Sequence, residues 1–385
     1  MIQENNNISL KNWELVSVNP NNKNWDWKDL FCFWGSTLQS IIGFSLIASL
    51  YLVYELNIAV VFFGTLTAAL FLVFLFSKGH TFNRLFINFS AIIVYLGLSL
   101  FLIFIVSEHY TEVFQSFKDL LTFENIFSKD SIVPTITVAG TIFAYFSILI
   151  VNYGDFSRYV KDKKELNKGN LSLILNLIIF SLFSVLIVIG TDIILNKNLE
   201  NVDQILTNPT DIIGKFDNVF LSIAVLFFIL FSSLSTNLIA NYVPSQNSLL
   251  NFLPNNLTLK STGVIIALIA FPIGIFWMPL LSQIGILSFV DTMGSFFGPI
   301  FGIIIVDYYL IKKQKLVNKD IFSSANNSSY YFSYGWHIKA IYSLFIGFIF
   351  SAATIWNADL RFLQSFSWFI GVFMSSLTYY LLASR

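Results

Sequence analysis

LSLILNLIIFSLFSVLIVIGTDIIL, residues 171–195, runs apolar almost without interruption. At 1.5 Å per residue, a helix of that length crosses a hydrocarbon core of roughly 30 Å. A strand of a membrane barrel would alternate apolar and polar residues, and this stretch does not. Working outward, nine further runs read the same way. The ten candidate spans are 30–52, 58–76, 85–106, 133–153, 171–195, 219–243, 263–279, 284–311, 338–356 and 363–382. Composition agrees with them. Only 11% of the 385 residues are charged and 56% are apolar, and mean hydropathy is +0.72. A water-soluble surface of this size needs far more charge. The reading is an all-α integral membrane protein with about ten transmembrane helices. A cytoplasmic segment, 1–29, precedes a single polytopic domain, 30–385. Residues 1–29 are polar and Asn-rich and do not read as a cleavable leader.

Orientation follows from Lys and Arg. With the N-terminus inside, seventeen of the 22 fall on inner segments and five on outer ones. That asymmetry predicts a plasma or inner membrane protein with both termini in the cytoplasm. The balanced formal charge of +0 gives no reason to expect a nucleic-acid partner. The single Cys32 excludes an intrachain disulfide and a multi-cysteine metal site. No nucleophile–base pair and no phosphate loop appears, so the chain does not read as an enzyme.

Polar residues inside a span are costly and ask for a reason. The sixth span carries Ser232, Ser233, Ser235, Thr236, Asn237 and Asn241. At 100° per residue Ser232, Ser235 and Thr236 share one helical face, and Asn237 and Asn241 are one turn apart on a neighbouring face. Two readings stand. Small hydroxyl residues let helices approach closely, or hydroxyl oxygens bind a hard cation such as Na⁺. The first span has Trp34-Gly35-Ser36-Thr37-Leu38-Gln39-Ser40 near mid-membrane. Gln39 is donor and acceptor at once and suits the edge of an amide or imide ring, or a neighbouring helix. Asp291 is the one carboxylate well inside a run. Gly298-Pro299 and Gly302, followed by Asp307-Tyr308-Tyr309, read as a kinked helix reaching a basic inner end.

Three strings carry a resemblance: Asn152-Tyr153-Gly154-Asp155-Phe156-Ser157-Arg158-Tyr159, Leu234-Ser235-Thr236-Asn237-Leu238-Ile239-Ala240-Asn241, and Gly298-Pro299-Ile300-Phe301-Gly302 running on to Asp307-Tyr308-Tyr309-Leu310-Ile311. In this order and spacing they resemble the nucleobase:cation symporter-1 family, in its hydantoin, allantoin and uracil branch. The resemblance implies a leucine-transporter-like fold: a five-plus-five inverted repeat with two added helices, broken first and sixth helices, and a midplane site. It implies that Gln39 and Asn241 bind the substrate ring and that Phe146 stands where the branch places a stacking Trp. It also implies Na⁺ ligands: the hydroxyls of Ser235 and Thr236 and the carbonyls of Gly35, Leu38 and Ser232. Ala144 and Tyr145 stand where a Gly-Gly break belongs.

The family has twelve spans and ten are found, so the chain reads as an incomplete version of the fold. The register holds to about Ser77-Lys78 and resumes at Gly79–Arg84, where the family's fifth helix begins; the third and fourth have no counterpart. The implied function is secondary active uptake of a nucleobase or a related ring such as allantoin, hydantoin or uracil. Na⁺ or H⁺ is the coupling ion, no organic cofactor is expected, and the lipid bilayer and a small ring compound are the partners. The alternative is a transport-inactive truncated membrane protein that binds a ligand or a partner subunit.

Overall fold

A computed structural model describes residues 23, 25–38, 84–121, 129–198, 205–236, 240–241, 243–258, 261–266, 269, 285–317 and 320–384. The second candidate span, most of the seventh, the junction near 77–83 and Gln39 lie outside the described residues. Within them the chain is helical, and its β pairing is confined to two isolated bridges. Among the described residues, six helices are long and apolar enough to cross a membrane: Ile87–Ser107, Ser131–Asn152, Lys163–Leu195, Ile286–Ile311, Ile338–Trp356 and Ala358–Ala383. A shorter apolar helix, Val219–Ser232, falls in the sixth candidate span. Backbone polar groups find no water in hydrocarbon, so each apolar run satisfies them internally by coiling.

The chain divides into two units. One comprises Asn21–Phe143 and Asn152–Asn241. It holds α1 (Trp27–Leu38), α2 (Arg84–Ser107), α3 (Tyr110–Leu120), most of α4 (Lys129–Asn152), α5 (Lys163–Asn198) and α6 (Val219–Thr236). The first helix packs against α2, α5 and α6, and α2 also packs against α5 and α6. Sequence reading leaves 107–132 as an outer loop, whereas the structure coils Tyr110–Leu120. Val113, buried, and the half-buried Phe117 recur one turn apart on that short amphipathic helix.

The other unit comprises Ala144–Val151 and Tyr242–Arg385, with Met1–Pro20. It holds α7 (Val243–Phe252), α8 (Ile286–Ile305), α9 (Ile338–Trp356) and α10 (Ser367–Ala383). α8 continues as a π-helical turn, Val306–Ile311, and a 3₁₀ stretch, Ala358–Phe366, leads into α10. The last three long helices pack on one another. Their contact is drawn tight by small residues. A Cβ on Gly302 would lie 2.5 Å from Ser375 Oγ and 2.6 Å from the Val372 carbonyl, so only glycine lets α8 meet α10 there. Pro299 inside α8 removes one backbone donor, and the helix widens seven residues later, where Lys312 N–H bonds the Asp307 carbonyl at 2.8 Å. The expected irregular helix with a basic end is there: Lys312 Nζ sits 2.6 Å from Asp307 Oδ2.

One expectation changes. The resemblance implies a broken sixth helix, and its counterpart here, α4, is continuous from Lys129 to Asn152. Ala144 and Tyr145 carry the Cβ atoms that a Gly-Gly pair lacks, so this sequence has no local reason to leave the helix at that point.

Candidate functional site

The first helix is gripped by two tyrosine–asparagine pairs. Tyr153 donates its hydroxyl to Asn170 and stacks on Trp34, ring centroids 5.9 Å apart. Tyr95 of α2 donates to Asn176 and stacks on Phe31 at 5.8 Å. Both amides lie on α5 and are fully buried. Asn176 spends its own N–H₂ on carbonyls, 2.8 Å to Ser172 and 3.4 Å to Phe31. Asn176 thus has both its oxygen and its N–H₂ hydrogen-bonded inside the apolar layer, as a buried polar group must.

Gly35 sits against the second pair. A Cβ there would fall 2.8 Å from Tyr95 Cε2 and 3.0 Å from Asn176 Oδ1. No side chain fits, so the absence of one at position 35 brings the α1 backbone directly onto a polar, hydrogen-bonded surface. Aromatic contacts fix the rest of α1. Phe33 lies 4.9 Å from Phe156 and meets Trp34 edge-on at 4.8 Å. Asp29, almost fully buried, accepts from Asn88 Nδ2 at 2.8 Å and from the Asp26 N–H at 2.7 Å.

The start of α1 is tied down by backbone. Trp25 pairs with Val160: its N–H reaches the Tyr159 carbonyl at 3.4 Å, and its carbonyl accepts from Lys161 N–H at 3.1 Å. Trp27 N–H donates to Glu165 Oε2 at 2.9 Å. The string Asn152–Tyr159 is therefore a docking element for α1, with Tyr153, Phe156 and the 159–160 backbone as its contacts.

The expected cation residues fall on two helices that touch. Gly35 and Leu38 are on α1; Ser232, Ser235 and Thr236 are on α6, and α1 packs against α6 within one unit. Ser232 is 1% exposed and Thr236 is half-buried. One turn before Ser232, Phe228 sits 6.4 Å from Phe101, which presses this part of α6 onto α2. A π-type turn includes Ala240 and Asn241. Asn241 is exposed. Phe146 belongs to the other unit; its ring is buried and meets Tyr145 edge-on at 5.0 Å. Gln39 lies outside the described residues.

Sequence reading missed Tyr95, Asn170 and Asn176. The one available signal was a pair of amides, six residues apart, at the start of an otherwise apolar run. Nothing in the sequence matched either to its tyrosine.

Residues 65–381 match the family described as a permease for cytosine/purines, uracil, thiamine and allantoin. The allantoin permease of Bacillus subtilis is 26% identical over 242 residues, 63% of this chain and 47% of that one. The purine-uracil permease of Arabidopsis thaliana is 30% identical over 210 residues, 54% of this chain and 33% of that one. The chain thus spans half or less of the length of these relatives. Among solved structures, Mhp1, a nucleobase-cation-symport-1 family transporter in a closed conformation with bromovinylhydantoin bound, aligns with a TM-score of 0.59 and 15% identity. That alignment covers 96% of this chain and 94% of Mhp1. A Na⁺-coupled sialic acid symporter aligns at 0.60 with 11% identity over 95% of this chain and 91% of its own. The fold is that of these transporters.

Proposed function

The chain belongs to the family of permeases for cytosine/purines, uracil, thiamine and allantoin, and on that premise we propose that it is a secondary active symporter for a nucleobase or a related ring such as allantoin, hydantoin or uracil. Na⁺ is its coupling ion. The observation that carries the reading is the packing of α1, with its side-chain-free Gly35, against the α6 that carries Ser232, Ser235 and Thr236. In this reading the Ser235 and Thr236 hydroxyls and the Gly35, Leu38 and Ser232 carbonyls hold Na⁺, a donor set suited to a hard cation. Gln39 and Asn241 read the polar edge of the ring and Phe146 supplies a face to stack on. The two permeases above act on such rings by name, and Mhp1 holds a hydantoin. The membrane is the plasma or inner membrane, with both termini inside.

A binding experiment tests the residue roles. A labelled hydantoin and a labelled nucleobase are titrated into purified protein with and without Na⁺. Thr236→Ala removes a hydroxyl ligand that a methyl group cannot replace, and the Na⁺ midpoint should rise. Asn241→Ala should cost about 1–3 kcal/mol in ring affinity, because the ring's polar edge is left unpaired. Unchanged Na⁺ midpoint and unchanged ring affinity would reduce these side chains to packing.

One observation favours a second reading, a membrane protein that binds a ligand or a partner subunit without transporting. The unbroken α4 keeps its backbone groups bonded where the resemblance expects them free for a substrate. Under this reading the ring binds and Na⁺-driven uptake is lacking.

A further inference from the structure

We propose that Asp291 and Gln364 form a proton-binding site in the unit built from α8, α9 and α10, separate from the cation residues on α1 and α6. Asp291 lies on α8 and is 3% exposed. Gln364, in the 3₁₀ stretch before α10, places Nε2 3.0 Å from Asp291 Oδ2 and 3.5 Å from Ser288 Oγ. The second carboxylate oxygen, Oδ1, is buried and has no hydrogen-bond partner among the described residues. A carboxylate oxygen kept from water without a partner is an expensive arrangement. Binding a cation at the carboxylate relieves it.

The chemistry of the site fits a proton better than a metal ion. Na⁺ wants several oxygens around it, and the neighbours here are one hydroxyl and one amide, with its N–H₂ turned inward. The neighbouring hydroxyls do not donate to the carboxylate: Thr292 Oγ1 donates to the Ser288 carbonyl at 2.7 Å, and Ser295 Oγ to that of Thr292 at 2.7 Å. A proton needs one lone pair and one acceptor. Bound at Oδ2, it turns that atom into a donor, and Gln364 meets it by rotating its amide so that Oε1 accepts. The change also removes the charge from the unpaired Oδ1, which becomes an acid carbonyl. An amide is the side chain that serves both states without moving its backbone.

Other charges stand clear of the site. Within the described part of this unit, Asp359 and Arg361 of the 3₁₀ stretch are exposed, and α10 carries no charged residue. Lys339 opens α9, at the end opposite Trp356, and His337 caps that same end. Asp307 and Lys312 lie at least sixteen residues further along α8, roughly 24 Å on a helix, and bond each other. The segment 144–151 brings Ala144 against Gly294 and contains no charged residue.

Infrared difference spectroscopy on the full chain in bilayers, between acid and alkaline buffer, reads the site directly and needs no transport. The expected result is a protonated-carboxyl stretching band that titrates with pH and is absent in Asp291→Asn. In Gln364→Ala the same band should persist at a higher frequency, because its hydrogen bond is gone. That variant also keeps the question open to test if Asp291→Asn does not fold. A pH-dependent band unchanged in both variants would overturn the proposal. So would a wild-type band that ignores pH and disappears on adding Na⁺.

Discussion

Gly35 rests against the Tyr95–Asn176 pair, and the contact limits how closely the first helix can approach α2 and α5. Two changes separate the steric part from the polar part. Gly35→Ala forces a methyl to within about 3 Å of Tyr95 and Asn176, and overpacking of this kind costs about 1–3 kcal/mol. Tyr95→Phe keeps the stack on Phe31 but leaves Asn176 Oδ1 without its donor, at about 1–3 kcal/mol. Thermal unfolding of purified protein should rank both below wild type. The double variant should lose less than the sum, because the two positions share one contact. Strict additivity would mean that Gly35 does not rest on this pair.

At the scale of elements, the Lys312 end of the second unit is held by a relay. Lys312 pairs with Asp307; Tyr379 donates to Asp307 Oδ1 at 2.6 Å; His337 Nε2 lies 2.9 Å from the Tyr379 oxygen. Tyr379 has only one proton and gives it to Asp307, so Nε2 must carry the hydrogen and donate. Phe332 lies over the His337 ring at 3.8 Å, closing a loop in which Phe332, Tyr334 and Gly335 all have positive φ. Burial lowers the His337 pKa, Lys312 and Lys339 act the same way, and Asp307 opposes them. The folded pKa therefore lies below the unfolded value of about 6.5. His337 contributes its full stabilisation above that value, and the contribution is lost as pH falls through the folded pKa. The protection factors of the Ser333 and Trp336 amides, which bond each other across this loop, should fall on acidification in wild type once the intrinsic pH dependence of exchange is divided out, and that fall should be lost in His337→Gln. A flat wild-type profile would contradict the assignment. This relay also shows what sequence reveals. Asp307-Tyr308-Tyr309 and the kink residues were legible because they are local. Tyr379, 72 residues from Asp307, was not, because nothing in an apolar run marks which side chain will face a distant carboxylate. The spans were legible for the opposite reason: the bilayer imposes a length and a polarity that each run must meet alone. The hydroxyl face proposed on α6 follows from the helical period, and what the structure adds is that α6 packs against α1. The break expected in α4 came from resemblance alone, and the residues at 144–145 did not support it.

For the molecule as a whole, the Lys and Arg asymmetry makes a prediction about sidedness. Single cysteines at 163 and 197, in a Cys32→Ser background, are probed in intact cells with an impermeant maleimide. Position 197 should label and position 163 should not. The reverse pattern would invert the topology and put the strap at Trp25–Val160 outside. The proposal of a coupled symporter makes the larger demand, since it requires ring and Na⁺ to cross together through one chain. Its most direct test is uptake of labelled hydantoin, allantoin and uracil into proteoliposomes containing only this protein, with and without an inward Na⁺ gradient. A coupled symporter accumulates at least one ring above its external concentration only when the gradient is present, and Thr236→Ala should lose that stimulation. Binding of the ring with no accumulation under any gradient would contradict it, and would leave a receptor-like membrane protein in place of a transporter.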